Sequence, residues 1–384
     1  MQKKSLELYF HIPFCVQKCL YCDFLSAPAD ETTKHQYMEA LLTETVGGAV
    51  QYQDYCVDSI FIGGGTPSTV AVEDIEWLMA TVMEQYNVAE DAEITIEVNP
   101  GTVDFEKLSR YRKTGINRLS IGMQSAHNAE LQAIGRIHTW EQFETAFGEA
   151  RRAGFANINV DIMSALPGQS EVSYEETLQK VLALSDPPEH ISAYSLIVEE
   201  GTPFGEMYEK GKLQIPDEET DRLMYHRTKE LLKEAGYHRY EISNYAKKGY
   251  SCRHNQGYWT RVNYVGFGIG AASLVGNMRF RNGDDIVVYM EAPCNYRVEA
   301  EVLTVEEQME ETLFLGLRLT DGVDTDGFLE NFGKSLEEIY EDVIRRNIKD
   351  GLLIWKKEGH NGHRLVLTEQ GLDVSNYVMA QFLL

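Results

Sequence analysis

Positive charge is what this sequence is shortest of. Its 384 residues hold 35 Lys and Arg against 60 Asp and Glu, a formal net charge of −25. Proteins that grip a phosphate backbone do so by releasing counterions to clustered basic side chains. Nucleic acid is therefore not an expected partner, and the acidity reads as a solvated, self-repelling surface. No apolar run reaches the roughly 18 residues that span a bilayer, so membrane contact is expected only through a partner. Ala27-Pro28-Ala29 resembles a signal-peptidase site, but His11, Pro13, Gln17 and Lys18 interrupt the segment before it, which makes a poor leader. A cytoplasmic location is expected. Six cysteines in so long a chain do not make a disulfide scaffold, which belongs to small secreted proteins. Low-complexity tracts are lacking too.

What is present is an ordinary globular composition, 43% hydrophobic and 25% charged, in a chain long enough for one large core and a smaller second domain. Strand-like apolar runs cover residues 6–12, 59–62, 94–98, 118–122, 158–162 and 191–198. Helical stretches lie between and after them, at 33–42, 73–85, 105–114, 141–153, 173–184 and 218–235. Gly115, Gly154 and Gly236 follow three of these helices, where a residue tolerating positive φ is wanted. Six strand–helix units predict parallel strands with right-handed crossovers. Six is too few for the usual eight-unit barrel, so the expected fold class is α/β, a partial (β/α)6 barrel or an open α/β sheet. Residues 1–240 form that core, and 241–299 a barrel-closing extension with a polar, aromatic loop and a glycine-rich stretch at 265–270. From 300 to 384 a helical, winged-helix-like module is expected. Thr304 and Glu307 form a capping-box signature ahead of Met309, Leu313 and Leu317. A second helix spans 336–348, and the strands 352–355 and 365–367 flank the hairpin signal Asn361-Gly362.

Three of the cysteines fall within eight residues, in His11-Ile-Pro-Phe-Cys15-Val-Gln-Lys-Cys19-Leu-Tyr-Cys22-Asp23-Phe24. Spacings of three and two residues let one curled loop present three thiolates to one centre. A cubane iron–sulfur cluster has four iron corners and takes soft thiolates as ligands. Three ligands leave one iron open, the coordination logic of a reactive site. The alternative is a structural zinc completed by Asp23, His11 or a distant cysteine, although such sites usually show two short ligand pairs. Cys56, Cys252 and Cys294 stand alone, and Cys56 and Cys294 read as structural. Further polar motifs recur at the strand ends: Gly63-Gly64-Gly65-Thr66-Pro67, Glu97-Val98-Asn99-Pro100, Gly122-Met123-Gln124-Ser125, then Arg136, Asp161 and Leu166-Pro167-Gly168. A glycine run lets backbone approach a ligand closely; by itself it also fits a tight turn.

The cysteine spacing on the first strand–helix loop resembles the hallmark of the radical S-adenosylmethionine (SAM) superfamily. The motifs that follow resemble its coproporphyrinogen oxidase-like branch, in order over most of residues 6–280, and the C-terminal module resembles that branch's own. The resemblance implies a [4Fe–4S] cluster on Cys15, Cys19 and Cys22, SAM on the open iron, and an external electron donor. It implies one-electron reduction of the sulfonium, giving methionine and a 5′-deoxyadenosyl radical. Gly64, Gly65 and Thr66 would approach SAM, the last with its hydroxyl. Glu97 and Asp161 would accept from its ribose or ammonium, Arg136 would pair with its carboxylate, and Gln124 offers donors and an acceptor. Tyr9 and Tyr21 would approach the cluster or SAM, with Tyr21 also readable as a core aromatic.

Two features choose within the branch. In the oxygen-independent oxidases the third cluster cysteine is followed by glycine and another cysteine; here Asp23-Phe24 follows Cys22. The chain also begins only a few residues before its first strand, without the longer leading segment of those oxidases. Both count against decarboxylation. The stretch Cys252-Arg-His254-Asn-Gln-Gly-Tyr258-Trp259 is similar to that of the HemW haem-chaperone family. The resemblance implies His254 as the candidate axial haem ligand, with Tyr258 and Trp259 able to stack on the porphyrin. The plainer alternative is a loop histidine bonded to backbone, beside aromatics that close the barrel. Cys252 is a possible thiolate ligand or an inert buried thiol. The expectation is a haem-binding carrier that hands haem to an acceptor protein. The competing expectation is a radical SAM enzyme acting on a tetrapyrrole, by oxidative decarboxylation or by methyl transfer with ring opening.

Overall fold

The computed structural model describes residues 4–358 and 362–383. Six parallel strands, β1 (Lys4–Ile12), β2 (Tyr55–Gly64), β3 (Val88–Val98), β4 (Arg118–Gln124), β5 (Ile158–Ser164) and β6 (His190–Ser195), lie side by side in sequence order. Helices Glu31–Ala49, Val72–Gln85, Phe105–Lys113, Trp140–Arg152 and Glu171–Leu182 make the crossovers, and Glu218–Glu234 follows the sixth strand. The reason is written in the strands' alternation. One face carries Leu8, Phe10, Ile60, Ile62, Ile94, Ile96, Leu119, Ile121, Ile158, Val160 and Ile191, all buried in one core with Leu41, Leu78, Leu108, Phe143, Leu178 and Leu232 from the helices. Each such large side chain contributes about 1.5–3 kcal/mol by leaving water. The other face is polar: Glu7 and His11, Ser59, Glu93 and Glu97, Arg118 and Ser120, Asn159 and Asp161, His190 and Ser192. Parallel strands buried on both faces usually read as unbroken apolar runs; here alternate positions are polar and face a shared interior.

The sheet is wider than six strands. β7 (His238–Arg239) and β8 (Asn244–Ala246) continue it antiparallel beyond β6. On the other side β9 (Tyr264–Phe267) pairs parallel with β1, and β10 (Ala272–Val275), β11 (Met278–Asn282) and β12 (Arg297–Val302) follow antiparallel. The stretch expected to be merely glycine-rich is thus a strand. Gly266 hides it, yet the strand needs that glycine, because a Cβ there would collide with the Ala272 carbonyl. The polar loop expected around residue 255 is the helix Arg253–Trp259. Its N-terminal amides, those of Arg253 and His254, donate to the Glu93 carboxylate at 3.1 and 3.3 Å, an anion in the favourable place for a helix start.

After β12 a second core begins, built from residues 309–382 and including Leu313, Leu317, Phe328, Leu336, Tyr340, Leu353, Leu365 and Phe382. Thr304 and Glu307 make the reciprocal cap, the Glu307 amide donating to Thr304 Oγ1 and the Thr304 amide to Glu307 Oε2. The helix expected at 336–348 is Leu336–Lys349. Strands β14 (Leu353–Glu358) and β15 (Gly362–Leu367) pair as a hairpin, with β13 (Val323–Asp324) on the far side of β15. Asn361 of the expected turn lies outside the described residues. Among those residues no helix is long and apolar enough to cross a membrane.

Candidate functional site

The loop that follows β1 is clamped at its base by two backbone bonds, from the Ala27 amide to the Pro13 carbonyl and from the Cys15 amide to the Ala27 carbonyl. Phe14 anchors it edge-on against Tyr37, ring centroids 5.2 Å apart. The Leu20 amide ties the far side of the loop to the Ile134 carbonyl, and the Phe204 amide to that of Leu20. The end of β2 runs against this loop. The Gly65 and Thr66 amides donate to the carbonyls of Ile12 and Phe14 at 2.9 and 2.7 Å. A Cβ on Gly65 would stand 2.7 Å from the Phe14 oxygen, and one on Gly64, whose φ is +109°, 2.5 Å from His11 Nδ1. The glycine run is thus required first by chain packing.

The three thiols are brought to one cavity of about 590 Å³ at the C-terminal ends of the strands, where parallel barrels gather their active sites. Cys15, Cys19 and Cys22 share its lining with Tyr21, Gly64, Gly65, Thr66, Glu97, Gln124, Arg136 and Asp161. All three sulfurs are free and half-buried. Among the described residues no group of three or more His, Cys, Asp or Glu side chains, these thiols included, is drawn together closely enough to hold a metal ion. Three unpaired soft donors on one short loop, beside a cavity, fit a cluster with one open corner better than a sealed zinc site.

The polar side chains differ in how far their hydrogen-bonding capacity is engaged. Glu97 accepts the Gly64 amide at 3.1 Å, and burial, with repulsion from Asp161, pushes its carboxyl up to about 8. Burial also raises Asp161, which accepts from Asn159 Nδ2 at 2.8 Å. Gln124, at φ +70°, accepts the Tyr194 hydroxyl at 3.2 Å. Arg136 donates from Nη1 to Asn99 Oδ1 at 2.9 Å and from Nη2 to the Tyr21 hydroxyl at 3.2 Å, while its buried Nε has no partner. Burial lifts the Tyr21 phenol to about 12.

Two expected site residues are not brought to this cavity. Tyr9 lies on the inward face of β1 with its hydroxyl 3.0 Å from His11 Nδ1. His254 sits deeper, 1% exposed, with Nδ1 2.8 Å from Ser59 Oγ and Nε2 2.9 Å from the Tyr258 hydroxyl. Its ring stacks on Phe61, and burial with the Arg118 charge pushes it down to about 3, so it is neutral. Both nitrogens are engaged, which leaves no lone pair for a metal, and an axial role would require the ring to leave the barrel. Cys252 donates its S–H to Glu93 Oε1 at 3.3 Å, and burial raises its thiol, the inert alternative. The sequence reading missed Asn99 as a site residue. It also missed the cavity's far wall of Tyr194, Ser192, Asn244 and Asn255. The inward parity of β6 was the available signal for Ser192 and Tyr194.

Residues 9–181 match the model of the radical SAM superfamily, and residues 303–374 that of the HemN C-terminal domain. Heme chaperone HemW of Lactococcus lactis subsp. lactis is 34% identical, the match covering 100% of this chain and 99% of that protein. Heme chaperone HemW of Bacillus subtilis is 38% identical, with 98% of each chain covered. This chain belongs to the HemW family of radical SAM proteins. HemW of Escherichia coli is 40% identical over 70% of both chains. Among solved structures, coproporphyrinogen III oxidase (HemN) of Escherichia coli superimposes with a TM-score of 0.85 at 22% identity, covering 99% of this chain and 90% of that one. That likeness establishes the shared fold. Membership of the superfamily implies a [4Fe–4S] cluster and SAM as cofactors of a HemW-type chain.

Proposed function

We propose that this chain is a haem carrier of the HemW type, which binds haem on a scaffold holding a [4Fe–4S] cluster and SAM and delivers it to acceptor proteins in the cytoplasm. The observation that carries the proposal is end-to-end similarity to proteins named heme chaperone HemW, together with Asp23-Phe24 after the third cluster cysteine. In this reading Cys15, Cys19 and Cys22 would hold the cluster and leave it open to SAM on the cavity side. Gly64 and Gly65 border it with backbone, and Glu97 and Asp161 face its ammonium and ribose. Gln124, Thr66, Tyr21 and Arg136 complete the wall. Bound there and supplied with an electron by a donor protein, the pair would supply one-electron chemistry. The residues themselves orient SAM and shut out water. We take the barrel to run to about residue 240, its closing extension to 299 and the HemN-type module after that; the second core supports the last limit, while Val265, Phe267 and Tyr289 of the extension pack into the barrel's own core.

Haem is placed by chemistry rather than by His254. The barrel cavity, with Glu97, Gln124, Arg136 and Asp161 in its wall, is taken by SAM in this reading. A second cavity of about 420 Å³ has Trp259, Phe314, Leu315, Met379 and Leu383 as apolar walls and Arg318 as its cation. A macrocycle suits those walls and a propionate suits a guanidinium. Trp259 ends the family's His-Asn-x-x-Tyr-Trp stretch. Its indole N–H is buried without a partner, and Arg318 lies 4.2 Å over its ring.

The test is an anaerobic titration of reconstituted protein with haem, followed by mixing with apomyoglobin as the acceptor probe, with coproporphyrinogen and SAM in parallel. Expected are stoichiometric haem binding, transfer, and an unaltered tetrapyrrole. Sustained conversion of coproporphyrinogen, with methionine and 5′-deoxyadenosine released in step, contradicts the carrier and supports an enzyme. For the haem site, Arg318→Ala and Trp259→Ala should each weaken haem binding about tenfold or more. A folded His254→Ala variant should retain the haem spectrum, and loss of that spectrum would restore His254 as the ligand.

A further inference from the structure

One side chain at the cavity edge has every hydrogen-bonding choice made for it. Asn99 follows β3 and precedes Pro100, which restricts it to extended backbone, and its amide and carbonyl are held by Ser68 Oγ and Thr102 Oγ1. Arg136 Nη1 lies 2.9 Å from Asn99 Oδ1. A guanidinium only donates, so the amide oxygen must face it. The other end of the amide is therefore the donor, and it lies 2.9 Å from Thr66 Oγ1. Thr66 has one hydroxyl proton. With its oxygen accepting from Asn99, that proton points at Cys15 Sγ, 3.5 Å away. Room for this chain depends on Gly122, where a Cβ would stand 2.6 Å from Asn99 Oδ1 and 3.2 Å from Arg136 Nη2.

We propose that Arg136, Asn99 and Thr66 form a polarised relay that forces a hydroxyl hydrogen bond onto the Cys15 thiolate and so raises the reduction potential of the cluster. Thr66 and Asn99 are positioning residues in this scheme, and the Thr66 hydroxyl is committed to sulfur rather than to SAM. Each bond in the chain points the same way, from a buried cation to an anionic sulfur, which strengthens the last one. Hydrogen bonds to cluster sulfurs are among the determinants of potential. A donor stabilises the more negative, reduced cluster over the oxidised one, so its removal lowers the potential. The inference rests on the cluster reading above.

The experiment is a potentiometric titration of anaerobically reconstituted protein without SAM, read by EPR of the reduced cluster. Thr66→Val removes the proton, and its reduction equilibrium should fall about tenfold, about 59 mV for one electron. Thr66→Ser keeps the hydroxyl and should stay near the parent. Asn99→Asp keeps the Arg136 contact but accepts the Thr66 proton, which draws it from sulfur and lowers the potential. Because Asn99→Asp also adds charge, the double variant decides. Under the relay, Asn99→Asp shifts the potential less in the Thr66→Val background than alone. An unchanged potential in Thr66→Val overturns the relay, as does an equal Asn99→Asp shift in both backgrounds. Failure of the parent protein to give any [4Fe–4S] signal would instead overturn the cluster reading, which keeps the two failures distinct.

Discussion

The barrel interior has two storeys made by one rule, and they end in opposite chemistry. Inward positions of the same strands are mostly polar, Phe61 and Met163 excepted, but near the C-terminal ends Glu97, Gln124, Arg136 and Asp161 border a cavity. Below them, Glu7, Ser59, Glu93, Cys252 and His254 close on one another, with Ser59 bonded to His254 and Glu93 bonded to Cys252 and to the amides of Arg253 and His254. Buried polar groups are stable when their partners are supplied. In the lower storey the protein supplies most of them, with Glu7 Oε2 and Arg118 Nε left without a partner. In the upper storey the capacity left over, as at Arg136 Nε, belongs to residues that border a cavity. A polar residue facing the barrel axis is thus a ligand contact or a structural plug according to where its hydrogen bonds end.

That distinction can be broken by exchange, starting with the largest expected effect. Cys19→Ser should abolish the cluster and every spectral response to SAM while the fold, followed by circular dichroism, stays intact; a retained cluster would move the site elsewhere. His254→Ala, in the lower storey, should cost about 3 kcal/mol of stability in denaturant unfolding, because it leaves a cavity and strands Ser59 and the Tyr258 hydroxyl. SAM affinity should be unchanged in the folded fraction. Asp161→Asn, in the upper storey, should do the reverse, weakening SAM about tenfold by equilibrium binding with little change in melting temperature. A destabilised Asp161→Asn protein with unaltered SAM affinity would erase the division.

The smallest effect is one of pH. Burial raises Glu7 to about 9 and Glu97 to about 8, against about 4.5 unfolded. Between those values the folded state holds more protons than the unfolded one, so stability falls as pH rises through that window. The melting temperature of the parent should drop by a few degrees between pH 7 and 9. Glu7→Gln, neutral throughout, should flatten the lower storey's share of that slope.

Much of this was legible in the sequence, for physical reasons that differ by region. The six strand–helix units could be read because apolar residues recur every second position on the helix-packed face. β9 could not be, since Gly266 and its neighbouring glycines carry no side-chain pattern and the strand exists only against β1 and β10. Cys15, Cys19 and Cys22 were legible as a group because their close spacing alone puts them on one loop beside one cavity. His254 was legible as a notable residue but not as a closed one, because the group that engages Nδ1 is Ser59, distant in sequence and near only after folding. Asn99 stood in a quoted motif, yet nothing in one dimension shows that Arg136 fixes which end of its amide faces Thr66.

The most direct test of the whole account is anaerobic EPR of the reduced, purified protein with and without SAM. The account predicts a [4Fe–4S] signal whose shape changes when SAM reaches an open iron held beside Glu97 and Asp161. A bound zinc ion, or a cluster whose spectrum is indifferent to SAM, would contradict it.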